Sequence, residues 1–194
     1  MSNSAAVEDT PVLVTVESGT ATVVLNRPKS LNALAEEVLS ALQEIWDEIA
    51  ENHEVKAGDH FRVGHNFKEM SAHREDIDGG YGYFNALFAQ CSRMMMSMVA
   101  LPQLVIAELT GIATAAGCQL VATCDLAVAV DDAFFATSNV KTGKAAFYRH
   151  AEMRLAEAYD FAARTLADNT MARDTGRGIG AFVTKQPMPE WTGE

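Results

Sequence analysis

At 194 residues the chain is long enough for one sizeable domain, or for a core with a small appendage. Hydrophobic content of 48% and charged content of 21% are ordinary for a globular protein, and a net charge of −11 argues against nucleic acid and anionic membranes as partners. No apolar run reaches membrane-spanning length, because Glu108, Gln119 and Asp125 interrupt the richest stretch.

The first ten residues, MSNSAAVEDT, have neither a basic region nor an apolar run, so they read as a flexible tail and not as a secretory signal. Val12 to Glu17 alternates apolar and polar residues, Gly19 turns, and Thr20 to Leu25 alternates again, which predicts a β-hairpin with one buried face. Pro28 in Asn26-Arg27-Pro28 ends the second strand, because it withholds a ladder donor and biases its neighbour. A helix is expected from about Leu31 to Glu51, with Leu34, Val38, Leu42, Ile45 and Ile49 as its core-facing stripe. Phe61 to Met70 reads as a loop, and Ser71 to Gly80 as a polar, glycine-bearing, mobile segment. From Tyr81 to Met98, Phe84, Leu87, Phe88, Cys91, Met94, Met95 and Met98 predict a helix with a wide buried face, ended by Pro102. Three cysteines, Cys91, Cys118 and Cys124, sit in apolar segments and read as reduced, buried thiols of a cytoplasmic protein. Their spacing suggests no zinc site.

The stretch Leu104 to Val130, LVIAELTGIATAAGCQLVATCDLAVAV, is the centre of the chain. It reads as strand Leu104–Glu108, a turn at Thr110-Gly111, a buried helix Ala115–Cys124 and strand Leu126–Val130. This puts the backbone N–H groups of Ala115, Ala116 and Gly117 at a helix N-terminus, where the first donors have no intrahelical partner. Small side chains leave room for a ligand carbonyl, so the stretch can stabilise an oxyanion or bind an anion. A tightly packed βαβ crossing needs the same alanines and glycine, so both readings stand at this point. Asp131-Asp132 then makes a turn and Ala133–Thr137 a further strand. A helix is expected from Lys144 to about Asn169, with Phe147, Ala151, Leu155, Ala158, Phe161 and Leu166 near one face. A second piece, Ala172 to Val183, ends near Pro187.

Three pieces in order, LNRPKSLNAL (Leu25–Leu34), GHNFKEM (Gly64–Met70) and GIATAAGCQL with Cys124-Asp125 and Ala129, resemble the hallmarks of the enoyl-CoA hydratase/isomerase (crotonase) superfamily. Those hallmarks are LNRPxxxNAL, a GxDxKEM-type loop and GxAxGGGxxLxxxCDxxxA. The resemblance covers Val12 to Ala136 and Gly143 to Trp191. It implies an α/β fold, a crotonase-like ββα superhelix with a C-terminal helical segment. The domains are then a tail at 1–10, an incomplete core at 11–142 and the helical segment at 143–194. A core strand ahead of GHNFKEM is shortened or missing, since only Val55 and Ala57 remain for it. A second gap falls at Lys141-Thr142-Gly143. If the joins Lys56–Gly58 and Thr142–Lys144 are real, apolar faces around Leu42, Phe84, Phe88 and Val128 are covered by another subunit or a rearranged fold, or the chain is a truncated form of low stability.

The resemblance also implies the chemistry. A thioester oxygen would accept hydrogen bonds from the backbone N–H groups of His65 and Ala116, and losing one such donor typically costs ~3 kcal/mol of transition-state stabilisation. Gln119 and Asn139 stand where the family's two water-activating glutamates stand, and a neutral amide cannot act as a general base. Lys29, Leu31, Asn66, Phe67 and Lys68 fall on the side that holds coenzyme A. No covalently bound cofactor is implied; a coenzyme A thioester is the substrate, and the chain is expected to form a homo-oligomer, a trimer or dimer of trimers. Asp125 reads as structural. Ser138 has no partner histidine, and His60 with His65 lacks a third ligand for a metal. The implied function is an acyl-CoA enzyme with weak or altered hydratase chemistry. The alternatives are a non-catalytic acyl-CoA-binding or subunit-interaction member, or a shortened chain without independent function.

Overall fold

The computed structural model describes residues 10–52, 57–58, 65–136, 149–150, 152–190 and 192. Its elements in chain order are β1 (Val12–Glu17), β2 (Thr20–Leu25), α1 (Glu36–Glu51), β3 (Ala57–Gly58), α2 (Phe67–Ala72), α3 (Tyr81–Ala100) and β4 (Leu104–Leu109). There follow β5 (Ile112–Thr114), α4 (Ala116–Thr123), β6 (Leu126–Ala129), β7 (Phe134–Ala136), α5 (Leu155–Met171) and α6 (Arg173–Thr184). The fold class is α/β, as expected. The chain divides into two compact units, Met1–His65 with Arg93–Ser138, and Asn66–Ser92 with Asn139–Glu194.

In the first unit, β1 and β2 form the expected hairpin, in register from Val12 opposite Leu25 to Glu17 opposite Thr20. Ser18 and Gly19 both have positive φ, 53° and 81°, the backbone of a type I′ turn whose twist suits a two-residue hairpin. Ala21, Val23 and Leu25 are buried. On β1, an edge strand, Val12 is buried but Val14 and Val16 are exposed, so the predicted buried face belongs to β2.

The helix expected from Leu31 starts later, at Glu36. Leu31 and Asn32 have φ of 56° and 54°, values closed to a right-handed helix. The buried stripe of α1 is Val38, Leu39, Leu42, Trp46 and Ile49, so Ile45 gives way to Trp46. Leu42 therefore needs no second subunit to cover it.

The shortened core strand is present as β3, two residues long. It runs parallel to both neighbours, with Ala57 opposite Thr20 and Leu104, and Gly58 opposite Val105. The sheet order is β1-β2-β3-β4-β6. Val105, Ala107 and Leu109 of β4 are buried. Periodicity does not reveal β5, which pairs in parallel with β7 from Ile112 opposite Phe134 to Thr114 opposite Ala136. The Val130 N–H donates to the Leu109 carbonyl (3.1 Å) and the Phe134 N–H to the Gly111 carbonyl (3.1 Å). The β4–β5 and β6–β7 runs thus stay side by side through a shared bend.

The predicted α3 stripe, Phe84 to Met98, is buried throughout, and the methionines are core residues. Phe84 and Phe88 are accordingly not an uncovered face, whereas Val128 is exposed. In the second unit, the loop expected from Phe61 to Met70 gives way to α2 at Phe67. The segment from Ser71 to Gly80 holds a single 3-10 turn, His73–Glu75, followed by a cap in which the Asp78 carboxylate accepts from the N–H groups of Gly80 (2.9 Å) and Gly82 (2.7 Å). Two of the donors that a helix start leaves unpaired are met in this way. The Arg74 guanidinium donates to the Thr170 carbonyl (2.8 Å).

A helix runs from Leu155, where the Arg154 N–H donates to the Glu157 carboxylate (3.3 Å); Arg149 and His150 before it are also helical, and the expected start at Lys144 lies outside the described residues. It buries Ala163, Ala167 and Thr170, while Leu155 and Leu166 of the predicted face are exposed. The small side chains let the helix pack closely there. α6 follows after a break at Ala172 and buries Asp174, whose carboxylate accepts from the Thr192 N–H (2.7 Å) and hydroxyl (3.0 Å). The tail up to Asp9, Ser138, Asn139 and the join Thr142–Lys144 lie outside the described residues, as does Lys56 at the other join.

Candidate active site

The LNRPKSLNAL stretch folds around Arg27. Its N–H donates to the Asn32 side-chain oxygen (2.7 Å), and its guanidinium donates to the Glu37 carboxylate (2.8 Å). This pairing holds the Glu37 carboxyl below its usual range. Pro28–Ser30 makes one 3-10 turn, after which left-handed Leu31 and Asn32 turn the chain into α1. Leu31 is exposed, as is Lys29. Arg27, Asn32 and Glu37 thus have the clear structural duty in this motif, and sequence reasoning assigned them none. The signal was available: an arginine, an asparagine with its tolerance for left-handed backbone, and an acid in the first turn of the next helix.

His65 forms a parallel bridge with Leu34, immediately after this loop, and its Nδ1 lies 3.2 Å from the Leu34 carbonyl. A carbonyl only accepts, so Nδ1 carries the proton. Desolvation pushes the His65 pKa down to about 4, partly offset by the hydrogen bond to Leu34; at neutral pH the ring adds no charge to its surroundings. His60, the other histidine considered for a metal, lies outside the described residues, and no group of three possible ligands occurs among the described ones. Asn66, Phe67 and Lys68 belong to the second unit. Asn66 caps α2 by accepting from the Lys68 N–H (3.2 Å), and Phe67 meets Phe182 edge to face at 5.6 Å. The Lys68 side chain is exposed.

Ala116 opens α4 in the first unit. The chain leaves β5 and enters the helix through one residue, Ala115, at φ 45° and ψ −114°. That is backbone which glycine adopts readily and alanine does not. Ala115 stands at the first glycine of the GGG pattern, so its conformation was legible in the motif. Among the described residues, the N–H groups of Ala116 and Gly117 donate to no acceptor, while the Gln119 N–H donates to the Ala115 carbonyl (3.1 Å). Ala116 and Gly117 are buried. Gln119 lies one turn beyond Ala116 on the same helix face. It is half-buried, and its side-chain amide has no hydrogen bond among the described residues. Two donors and a neutral amide therefore share one end of α4.

Asp125 is structural: its carboxylate accepts from the Val105 N–H (2.8 Å) while its own N–H donates to the Val105 carbonyl (2.9 Å), which pins β6 to β4. Cys118 and Cys124 donate to backbone carbonyls of Ala113 (3.1 Å) and Leu120 (3.4 Å), and burial pushes the Cys91 thiol up to about 12. All three are free thiols.

Residues 15–156 match the sequence profile of the enoyl-CoA hydratase/isomerase family. The chain is 37% identical over 150 residues to the mitochondrial enoyl-CoA hydratase domain-containing protein 3 of Xenopus laevis, covering 74% of this chain and 49% of that protein. It is 39% identical over 131 residues to the Homo sapiens protein of the same name, covering 64% and 42%. The chain spans about half the length of the curated relatives it matches. Among solved structures, an enoyl-CoA hydratase of Mycobacterium smegmatis superposes with a TM-score of 0.59 at 31% identity, over 93% of this chain and 98% of that one. Human enoyl coenzyme A hydratase domain-containing protein 3 gives 0.59 at 26% identity, over 93% and 100%.

Proposed function

The chain belongs to the enoyl-CoA hydratase/isomerase family, and from that membership we propose that it binds an acyl-CoA thioester and stabilises the enolate form of its carbonyl. The observation that supports this reading is the start of α4, where the buried N–H groups of Ala116 and Gly117 have no acceptor among the described residues. A thioester oxygen gains negative charge as the enolate forms. Fixed donors at a helix N-terminus favour that charge without reorganising. In this proposal the Ala116 N–H is one donor and the His65 N–H the other. Lys29 and Leu31, and separately Asn66, Phe67 and Lys68 at the start of α2, are proposed as coenzyme A contacts.

Hydration requires a base to activate water. Gln119 offers an amide, which orients water by hydrogen bonds but takes no proton near neutrality. Asn139 offers the same chemistry. The chain therefore binds substrate and polarises it, with slow water addition. Calorimetric titration with butyryl-CoA tests binding, and loss of the crotonyl-CoA absorbance tests turnover. Binding with feeble turnover is expected, and Gln119→Glu combined with Asn139→Glu should raise turnover. Failure to bind butyryl-CoA would overturn the reading. Binding with no turnover, even in the double variant, would favour the second reading, a non-catalytic acyl-CoA-binding member. The two amides at the acid positions argue for that reading.

A homo-oligomer and a role in fatty acid metabolism are parts of the same proposal. Among the described residues no helix is long and apolar enough to cross a membrane. The relatives are called mitochondrial, while the cytoplasmic location proposed for this chain rests on its thiols. Fractionation of cells that express it distinguishes the two.

A further inference from the structure

The outer edge of the sheets is a run of eleven positions, 126 to 136, formed by β6, an acidic bend and β7. Leu126 is 54% exposed, Val128 60%, Val130 44%, Phe134 59% and Phe135 49%. Ala127 and Ala129 are exposed as well. Successive side chains of a strand point to opposite faces, so both faces of β6 are open. On its backbone side β6 pairs with β4, β7 pairs with β5, and among the described residues no strand takes the other edge. A strand that is apolar at every position has the composition of one covered on both faces. Asp131 and Asp132, exposed at the bend, divide this apolar edge near its middle.

That position decides which partner fits. Two copies of the edge aligned about their centres would set Asp131 and Asp132 against the same pair, with four carboxylates in one place. Like charges directly opposite each other destabilise a strand pair, and each chain already carries a net charge of −11. A basic residue at that point converts the same acids into attraction and fixes the register. We propose that the β6–β7 edge docks an extended protein segment that is apolar along its length and basic at its middle, adding it as a strand. Backbone pairing supplies part of the affinity and the exposed side chains the rest. The proposal is independent of the acyl-CoA reading.

The test uses two fluorescent peptides of the length of the edge, both of alternating valine and alanine on either side of the centre. One has two lysines at its centre and the other two glutamates. Fluorescence anisotropy with the full chain should show the lysine peptide binding at least about tenfold tighter than the glutamate peptide. Asp131→Lys with Asp132→Lys should reverse the preference. Phe134→Ser with Phe135→Ser, at exposed positions, should leave the circular dichroism unchanged and weaken the lysine peptide about tenfold. Equal binding of the two peptides, binding of neither, or a preference unmoved by the lysine variant would overturn the proposal. So would a dimer in low-salt sedimentation that excludes the peptide, because the edge would then be taken by a second copy.

Discussion

At Ala115 the chain passes from β5 into α4 with φ of 45°, and a Cβ there costs on the order of 1–3 kcal/mol of backbone strain. Ala115→Gly removes the strain but makes the unfolded chain more flexible, which takes back part of the gain. A net rise of about 0.5–1 kcal/mol is expected, read as a higher urea midpoint; Ala115→Val should lower it. A fall with glycine would mean that Ala115 is not strained. His65 makes the second prediction at this scale. The unfolded histidine takes up a proton as pH falls through 6.5, whereas the folded one stays neutral down to about 4. Its contribution is therefore complete above pH 6.5 and is lost as pH falls from 6.5 to 4. The shift corresponds to at most roughly 3 kcal/mol, and solvent at the half-buried ring reduces this. His65→Gln should flatten the urea midpoint across that window, and an unchanged slope would reject the assignment.

At the scale of elements, Asp78 shows how a glycine-bearing stretch becomes ordered. Two backbone N–H groups hold its carboxyl below the usual range, and Asp78→Ala should lower the urea midpoint, as loss of a helix cap does. Faster amide exchange at Gly80 and Gly82 is the direct check; protection equal to the parent would deny the cap. The hairpin, α3 and β4–α4–β6 are legible because each carries a full period of apolar residues. The start of α1 is less so, since Leu31 suits a helix by composition, and hydrogen bonds between Arg27 and Asn32 and from the Leu31 N–H to the Pro28 carbonyl turn the chain away from it. Six-residue α2 and three-residue β5 are too short to show a period. The buried face of α5 consists of alanines, which a search for large apolar residues passes over. In the site, the motifs locate Ala116 and Gln119, but the setting of His65 depends on Leu34, 31 positions earlier, and no local pattern carries that.

At the scale of the whole molecule, two properties oppose each other. A net charge of −11 repels copies, while Val14 and Val16 on β1 and the β6–β7 edge offer apolar surface. Salt weakens the first, the Debye length being about 10 Å at 0.1 M and 3 Å at 1 M, and leaves the second in place. Sedimentation velocity should find association between copies that grows as salt rises. Association that weakens with added salt would show that ion pairs and not apolar contacts hold the copies together.

The two-residue β3 has a further consequence, for the order in which the sheet comes apart. Among the described residues, Thr20 opposite Ala57 is the one register pair joining the hairpin to the parallel strands. The β1–β2 hairpin is closed locally by its own turn and six cross-strand pairs, whereas that join brings together positions distant in the chain. Local units of this kind open separately from the rest. Native-state deuterium uptake should accordingly divide the sheet into two exchange classes, with β1 and β2 amides labelled as a group before those of β4. The seam of the molecule then runs along Ala57–Gly58.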